Sequence, residues 1–440
     1  MQLAKTLLLG YNRNIKSVRD QVMTKYQAIL TDITTAIQKG GYQTGQRLPS
    51  IRQLSHEYHC SKDTVQRALL SLIHANLIYA VPKSGYYVFG DASQTSDKAI
   101  QQLADYHHKA YQDFQRCLTE SFDKDEHLAL NDYPNQAGLP ELIDSLLPIL
   151  QAKNVYTKSD TILITSGSQQ ALYLLSQVKF PNQGSHILID KPSYAGMINL
   201  LKELNLAFET IEREDQHYDF DALEKLFQQG HIKYYYTVPH FSNPLGLSYT
   251  EAEKKRLVAL AEQYDVYLLE DDYLGEFTSS GSLPLHYYDT AQHVIYLQSF
   301  SMTLFPALRL AALVLPDKLM KAVLNYKKVM DLGTNSMIQK ALALYLSNGM
   351  FTRNNLSLKH YLAERQQFIS QSLTQLPPQV SYHLTPRQLI FRQALSTRAY
   401  FLEVELAAIS TKLTTRYANY YSLALQDLNL EQLLEILQKK

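Results

Sequence analysis

Ser166-Gly167-Ser168-Gln169-Gln170 follows the short apolar run Thr161 to Thr165 and opens an apolar segment of helical period. Where a helix starts after a strand, backbone N–H groups point outward without partners, so this turn is suited to holding an anion. Other polar residues close apolar runs in the same way: Glu270-Asp271-Asp272-Tyr273 after one, and Ser299 through Arg309 after another. Taken singly each is bland, because an aspartate at a strand end is commonly a turn residue and Tyr194 is one of 32 tyrosines. A second chemistry sits at the other end of the chain. Residues 1–90 hold 11 Lys+Arg against 4 Asp+Glu, a balance of +7, and the rest of the 440 residues hold 31 against 38, so a net charge of zero hides two halves of opposite sign. Basic side chains that neutralise phosphates release counterions, which points to nucleic acid; a merely solvated basic surface fits the charge alone equally well. Cys60 and Cys117 give neither a disulfide framework nor a zinc site, and no metal site is expected.

The elements that would carry these residues follow from pattern. In the head, Tyr26, Ile29, Ile33 and Ile37 share one helix face that ends at Gly40-Gly41. Pro49 and Ser50 suit the opening of a short helix through the fifties with Ile51 and Leu54 inward, and His56 to Cys60 breaks it. Ser61 is the expected N-cap of the next helix, whose inward Val65, Ala68, Leu69 and Leu72 leave Lys62, Asp63, Thr64 and Gln66 on its exposed first turns. That is a helix-turn-helix, followed by a hairpin of Leu77 to Val81 and Tyr86 to Phe89 around Pro82-Lys83-Ser84-Gly85. The polar run at 91–96 reads as linker, and apolar residues from Asp97 to Glu120 recur at helical spacing.

Beyond it, His186 to Asp190, Tyr234 to Val238, Val266 to Glu270 and Val294 to Gln298 join Thr161 to Thr165 as buried-strand candidates separated by helices. The alternation predicts an α/β domain with a largely parallel sheet. The last hundred residues read as a helical and α+β lobe closed by a helix from Leu430 to Leu437. No run approaches the ~20 apolar residues that span a bilayer, and Thr6 to Gly10 is too short for a signal core, so a cytoplasmic protein without membrane contact is expected.

The head resembles the winged helix-turn-helix of the GntR regulators through Leu48-Pro49-Ser50-Ile51-Arg52-Gln53-Leu54, Ser61-Lys62-Asp63-Thr64-Val65 and Pro82-Lys83-Ser84-Gly85-Tyr86. The resemblance implies that Arg52, Ser61, Lys62, Asp63, Thr64 and Gln66 touch double-stranded DNA, with Lys83 and Ser84 near the minor groove. The family often has arginine where this chain has Lys62, which keeps the charge but weakens a bidentate reading of guanine.

The body is similar to the fold-type I aminotransferases that use pyridoxal 5′-phosphate, through Thr165 to Leu172, Asp190-Lys191-Pro192-Ser193-Tyr194, Asn243-Pro244-Leu245-Gly246, Glu270-Asp271-Asp272-Tyr273 and Ser299 through Arg309. With the head on the same chain, the whole resembles the MocR-type regulators. The implied fold is multidomain: an N-terminal winged helix-turn-helix over 20–90, a linker over 91–104, and an α/β transferase-like domain with a smaller C-terminal α+β lobe over 105–440. The resemblance assigns Ser168, Gln169, Ser299, Arg309 and a partner-supplied Tyr133 to the cofactor phosphate. Tyr194 is assigned to stacking on the ring, Asn243 and Tyr273 to its O3′, and Asp271 to its nitrogen.

One position departs from that pattern decisively. The residue that forms the Schiff base is lysine in the family and Met302 here, and a thioether neither condenses with an aldehyde nor shuttles a proton. Lys318, Lys321, Lys327 and Lys328 lie well downstream of the motif. The arginine that grips the substrate carboxylate aligns with Ser422, the usual threonine of the Asn-Pro-Thr-Gly turn is Leu245, and the phenylalanine, glycine and proline landmarks between linker and body are missing or shortened. The expectation is therefore a homodimeric DNA-binding regulator whose body is catalytically inactive, dimerises, and senses a small-molecule effector, with pyridoxal phosphate noncovalent if bound. An enzyme with residual aminotransferase activity and a ligand-independent dimerising scaffold are the alternatives. An open or a filled cleft separates sensor from scaffold.

Overall fold

The computed structural model describes residues 24–43, 45–75, 77–81, 85–88, 103–122, 135–213, 218–278, 281–373, 382–391, 402–403 and 421–425. The chain divides into two units, Met1–Ala99 and Ile100–Lys440.

In the first unit the helix Lys25–Gln38 is opened by a reciprocal cap between Thr24 and Gln27 and buries Ile29, Ile33 and Ile37. The helix Ile51–Glu57 is capped the same way by Ser50 and Gln53, which leaves Pro49 outside it and carries the helix past the expected break at His56. Ser61 caps Lys62–His74 by accepting from the Thr64 N–H. β1 (Ile78–Val81) and β2 (Gly85–Val88) pair antiparallel, with Ile78 opposite Val88; β1 starts one residue later than expected and β2 is displaced by one residue toward the turn. Eleven side chains from all five elements and the preceding loop form one core, including Leu48, Leu54, Val65, Leu69 and Leu72. Each such aliphatic burial contributes about 1.5–3 kcal/mol, which three short helices need in order to stay ordered.

The second unit is built on a seven-stranded sheet of β3 (Ile162–Thr165), β4 (His186–Lys191), β5 (Phe208–Glu212), β6 (Ile232–Thr237), β7 (Tyr267–Asp271), β8 (Val294–Ser299) and β9 (Ala311–Val314), in the order β3-β9-β8-β7-β6-β4-β5. The β4, β5, β6, β7 and β8 ladder is parallel, and β9 inserts antiparallel between β8 and β3. β5 and β9 were not foreseen. β5 alternates poorly as an edge strand, and the four-residue apolar run of β9 sits close to its neighbours without a strong turn signal.

Both faces of the sheet are covered, so the strands read as unbroken apolar runs rather than alternating ones. β6 shows this well: Tyr234 and Tyr236 enter the core on one face and Tyr235 the core on the other. The helix Leu103–Phe122 takes in the last two positions of the expected linker, 103 and 104, and Leu103 and Tyr106 are already buried. The C-terminal lobe pairs the long helix Met350–Leu373 with an antiparallel sheet of β10 (Tyr382–Leu384), β11 (Gln388–Phe391), β12 (Leu402–Glu403) and β13 (Tyr421–Ala424), ordered β10-β11-β13-β12. The run 91–96 and the expected helix Leu430 to Leu437 lie outside the described residues. No described helix is long and apolar enough to cross a membrane, and no metal-ligating cluster occurs among the described residues.

Candidate functional site

The carboxyl ends of β3, β6, β7 and β8 converge on a cavity of about 470 Å³, a usual size and place for a small-molecule site in an open α/β sheet. Ser168, Gln169, Tyr194, Asn243, Asp271, Tyr273, Ser299, Met302 and Arg309 all line it. Sequence positions 168 to 309 are thereby brought together around one space. Tyr133 lies outside the described residues.

One end of the cavity is an anion cup. The turn after β3 runs through Gly167, at φ 84°, into the helix Ser168–Gln177. A Cβ at Gly167 would lie 2.7 Å from Nη2 of Arg309, so a side chain there would meet a strained backbone conformation and displace the guanidinium. Arg309 itself stands in the left-handed region at φ 53°, after the 3₁₀ turn Pro306–Leu308, and stays exposed. The free N–H groups of a helix start, a guanidinium and the Ser299 hydroxyl thus face one point, a geometry suited to a phosphate monoester.

The middle is built for a flat ring. Gln169 Nε2 donates to the Tyr194 hydroxyl at 3.2 Å, fixing the phenol on one side. Asp271 sits at the end of β7, with the Tyr236 hydroxyl donating to Oδ2 at 2.9 Å and Oδ1 buried without a partner among the described residues. Burial pushes the Asp271 carboxyl up to about 7; the Tyr236 hydrogen bond opposes this and the Asp272 charge adds to it. Its neighbour behaves oppositely. Burial disfavours charge on Asp272 too, yet Lys153 at 2.8 Å holds it well below the usual carboxylate range, as part of a separate buried ion cluster with Glu276. Tyr273 donates its hydroxyl to the Phe241 carbonyl at 2.9 Å, so toward a ligand it acts as an acceptor.

At the far end Met302 is buried in the wall without filling the space. Among the described residues lining the cavity none is lysine. Lys327 is buried elsewhere, paired with Asp331 at 2.8 Å. Among the lining residues that the sequence reading did not place in the site, several come from outside the strand ends. Leu103 and His107 come from the first turns of the helix Leu103–Phe122, where the Tyr106 hydroxyl donates to the Thr303 carbonyl and His107 to the backbone of Met302. Burial lowers the His107 pKa, and Arg387 lowers it further. Arg387 lines the cavity from the turn between β10 and β11. Ser422, aligned with the family's carboxylate arginine, lies in β13 opposite Ile390 and does not line the cavity. The helical spacing of Leu103, Tyr106 and Tyr111 was a legible signal for the helix; nothing in the sequence marked Arg387.

In the head, Arg52, Lys62, Asp63 and Gln66 are exposed on two successive helices. The Ser61 hydroxyl is committed to the cap, 2.9 Å from the half-buried Thr64 hydroxyl, so these two serve the start of the helix before any base edge. Arg67, one turn after Asp63, extends the exposed basic face and was not foreseen. Lys83 and Ser84 lie outside the described residues.

Comparison with known proteins agrees with both halves. Residues 25–88 match the model of the bacterial regulatory proteins of the gntR family, and residues 83–425 match aminotransferase class I and II. An uncharacterized HTH-type transcriptional regulator of Bacillus subtilis, YcxD, is 41% identical over 80% of this chain and 80% of its own. The HTH-type transcriptional regulator NorG of Staphylococcus aureus is 23% identical over 81% of this chain and 89% of its own. The kynurenine aminotransferase of Pyrococcus horikoshii superposes with a TM-score of 0.65 at 22% identity, covering 85% of this chain and 92% of its own. With a winged helix-turn-helix at one end and the strand ends of a transferase-type sheet closing on a cavity in the other, the chain belongs to the aminotransferase class I and II family as a MocR-type, GntR-headed DNA-binding regulator.

Proposed function

We propose that the transferase-like body is catalytically inactive and works as a sensor and dimeriser, holding a phosphorylated pyridine compound noncovalently and reporting it to the DNA-binding head. The carrying observation is the contrast within one cavity: the Gly167–Arg309 cup and the unpartnered Asp271 Oδ1 are present, while Met302 stands where the amine belongs.

Pyridoxal phosphate fits the residues present. Ser168, Gln169, Ser299 and Arg309 would hold its phosphate, Tyr194 would stack on its ring, Asn243 and Tyr273 would meet its O3′, and Asp271 Oδ1 would accept from its ring nitrogen. When bound it supplies an aldehyde carbon and an electron-withdrawing ring. Met302 offers no nucleophile to the first and no proton carrier to the second. One ring nitrogen of His107 donates to the backbone of Met302, and burial lowers its pKa. The open volume of about 470 Å³ favours a sensor over a scaffold whose old cleft is filled. The body would form the homodimer, with Tyr133 of each copy completing the other's cup, and two heads would read paired half-sites on double-stranded DNA.

The test is an absorbance and calorimetric titration with pyridoxal phosphate, followed by borohydride reduction and mass measurement, on the wild type and Met302→Lys. Reversible binding without an adduct in the wild type, and an adduct at residue 302 in the variant, is expected. A cofactor adduct on any cavity residue of the wild type would refute inactivation, and no heat with it or with pyridoxamine phosphate would move the assignment to the scaffold.

A further inference from the structure

We propose that Nε2 of His107 is a hydrogen-bond acceptor for the ligand of this cavity, so that the cavity selects a phosphorylated pyridine carrying a donor, a hydroxyl or an amine, on the 4′ carbon beside Met302. This rests on the sensor reading and names the form of the ligand that the sensor prefers.

His107 lines the cavity from the second turn of the helix Leu103–Phe122. Its ring is placed from two sides. One ring nitrogen donates to the backbone of Met302, and the ring of Tyr106, whose hydroxyl donates to the Thr303 carbonyl, stands 5.8 Å away. A ring positioned by packing and by a backbone bond is how a rigid element presents a recognition group.

The state of that ring follows from its surroundings. Nε2 is buried and has no partner among the described residues, so the nitrogen engaged with Met302 is Nδ1. Burial lowers the pKa of the ring from its ordinary 6.5; the bond to the Met302 backbone opposes this, and the charge of Arg387 adds to it. At neutral pH the ring therefore carries one proton, which the Met302 bond keeps on Nδ1, and Nε2 is left as a lone pair. A buried acceptor that meets no donor is costly, and the chain supplies none here.

The ligand can supply one. Met302 stands where the family's lysine meets the reacting carbon, so the substituent on that carbon is the part of the ligand brought to this wall. The thioether of Met302 is only a weak acceptor and donates nothing to Nε2. An aldehyde oxygen also only accepts, and would set one lone pair against another. A hydroxyl or an amine in its place donates.

Two probes differ by a single hydroxyl at this position: pyridoxine phosphate and 4′-deoxypyridoxine phosphate. Calorimetry on the full chain is expected to find the first bound about 5- to 30-fold more tightly, with pyridoxal phosphate no tighter than the second. His107→Leu should bring the ratio of the two affinities to about one, while His107→Gln, which keeps an acceptor, retains part of it. Equal affinities in the wild type, a ratio that survives His107→Leu, or an aldehyde bound as tightly as the alcohol overturns the assignment and leaves the sensor reading standing. Loss of all binding in both variants makes His107 a structural residue and also overturns it. No heat with any of the three probes in the wild type overturns both readings.

Discussion

Replacing Asp271 by asparagine should stabilise the ligand-free body in alkaline buffer and do so progressively less as the pH falls toward the ordinary carboxylate range. Asp271 is fully buried at the end of β7, and its carboxyl, ordinarily at 3.8, is pushed up to about 7. A carboxyl raised in the folded state binds more protons there than in the unfolded chain, so stability falls as pH climbs between these values. The full deficit is present above the folded value and absent below the unfolded one. At ~1.36 kcal/mol per pH unit the interval corresponds to roughly 4 kcal/mol, and water in the cavity beside Oδ1 reduces this to an expected ~2–4 kcal/mol. Asparagine keeps an oxygen for the Tyr236 hydroxyl and carries no charge. Urea unfolding of the body, followed for both proteins at about pH 5 and about pH 8, should show a more stable variant at both, with an advantage at the second about two to three times that at the first. Pyridoxamine phosphate should then stabilise the wild type and not the variant, because its ring cation supplies what the buried carboxylate lacks. A variant no more stable than wild type at the higher pH, or an equal difference at both, would show that Asp271 is not a strained charge awaiting a partner.

Three further outcomes are expected. Gly167→Ala forces a Cβ against the Arg309 guanidinium at a positive φ and should weaken pyridoxamine phosphate binding by about 1–3 kcal/mol, read by calorimetry, with the oligomeric state unchanged. Ser50→Ala removes one half of a reciprocal helix cap and should cost the head about 0.5–2 kcal/mol, seen as a lower unfolding midpoint of that unit alone. Arg52→Ala should cost about 1–3 kcal/mol of specific DNA affinity if the guanidinium reads a base edge, and wild-type affinity should fall steeply with salt; a gel-shift series over salt concentration checks both.

Motifs that are local in the chain were legible. Ser61 and the inward row Val65, Leu69 and Leu72 declare a capped helix, and Thr165 to Gln170 declares a strand feeding a helix start, because caps and periodicity act within a few residues. The strands β5 and β9 were not, since an edge strand and a four-residue insertion gain their partners from the sheet rather than from their own pattern. The site divides the same way. Asp271 and Arg309 stand out once the motifs are aligned, whereas Arg387 is a side chain on a turn more than 70 residues away, whose relevance exists only after the small lobe folds against the sheet.

The helix Leu103–Phe122 has two attachments. Its first turns form cavity wall through Leu103 and His107 and hold the Met302–Thr303 turn through Tyr106, and by covalent connection it is also where the chain from the head enters the body. Fraying of those turns and opening of the cavity are therefore one local unfolding event with one free energy. A ligand that fills the cavity makes that opening rarer, and by thermodynamic reciprocity anything that frays those turns weakens the ligand by the same factor.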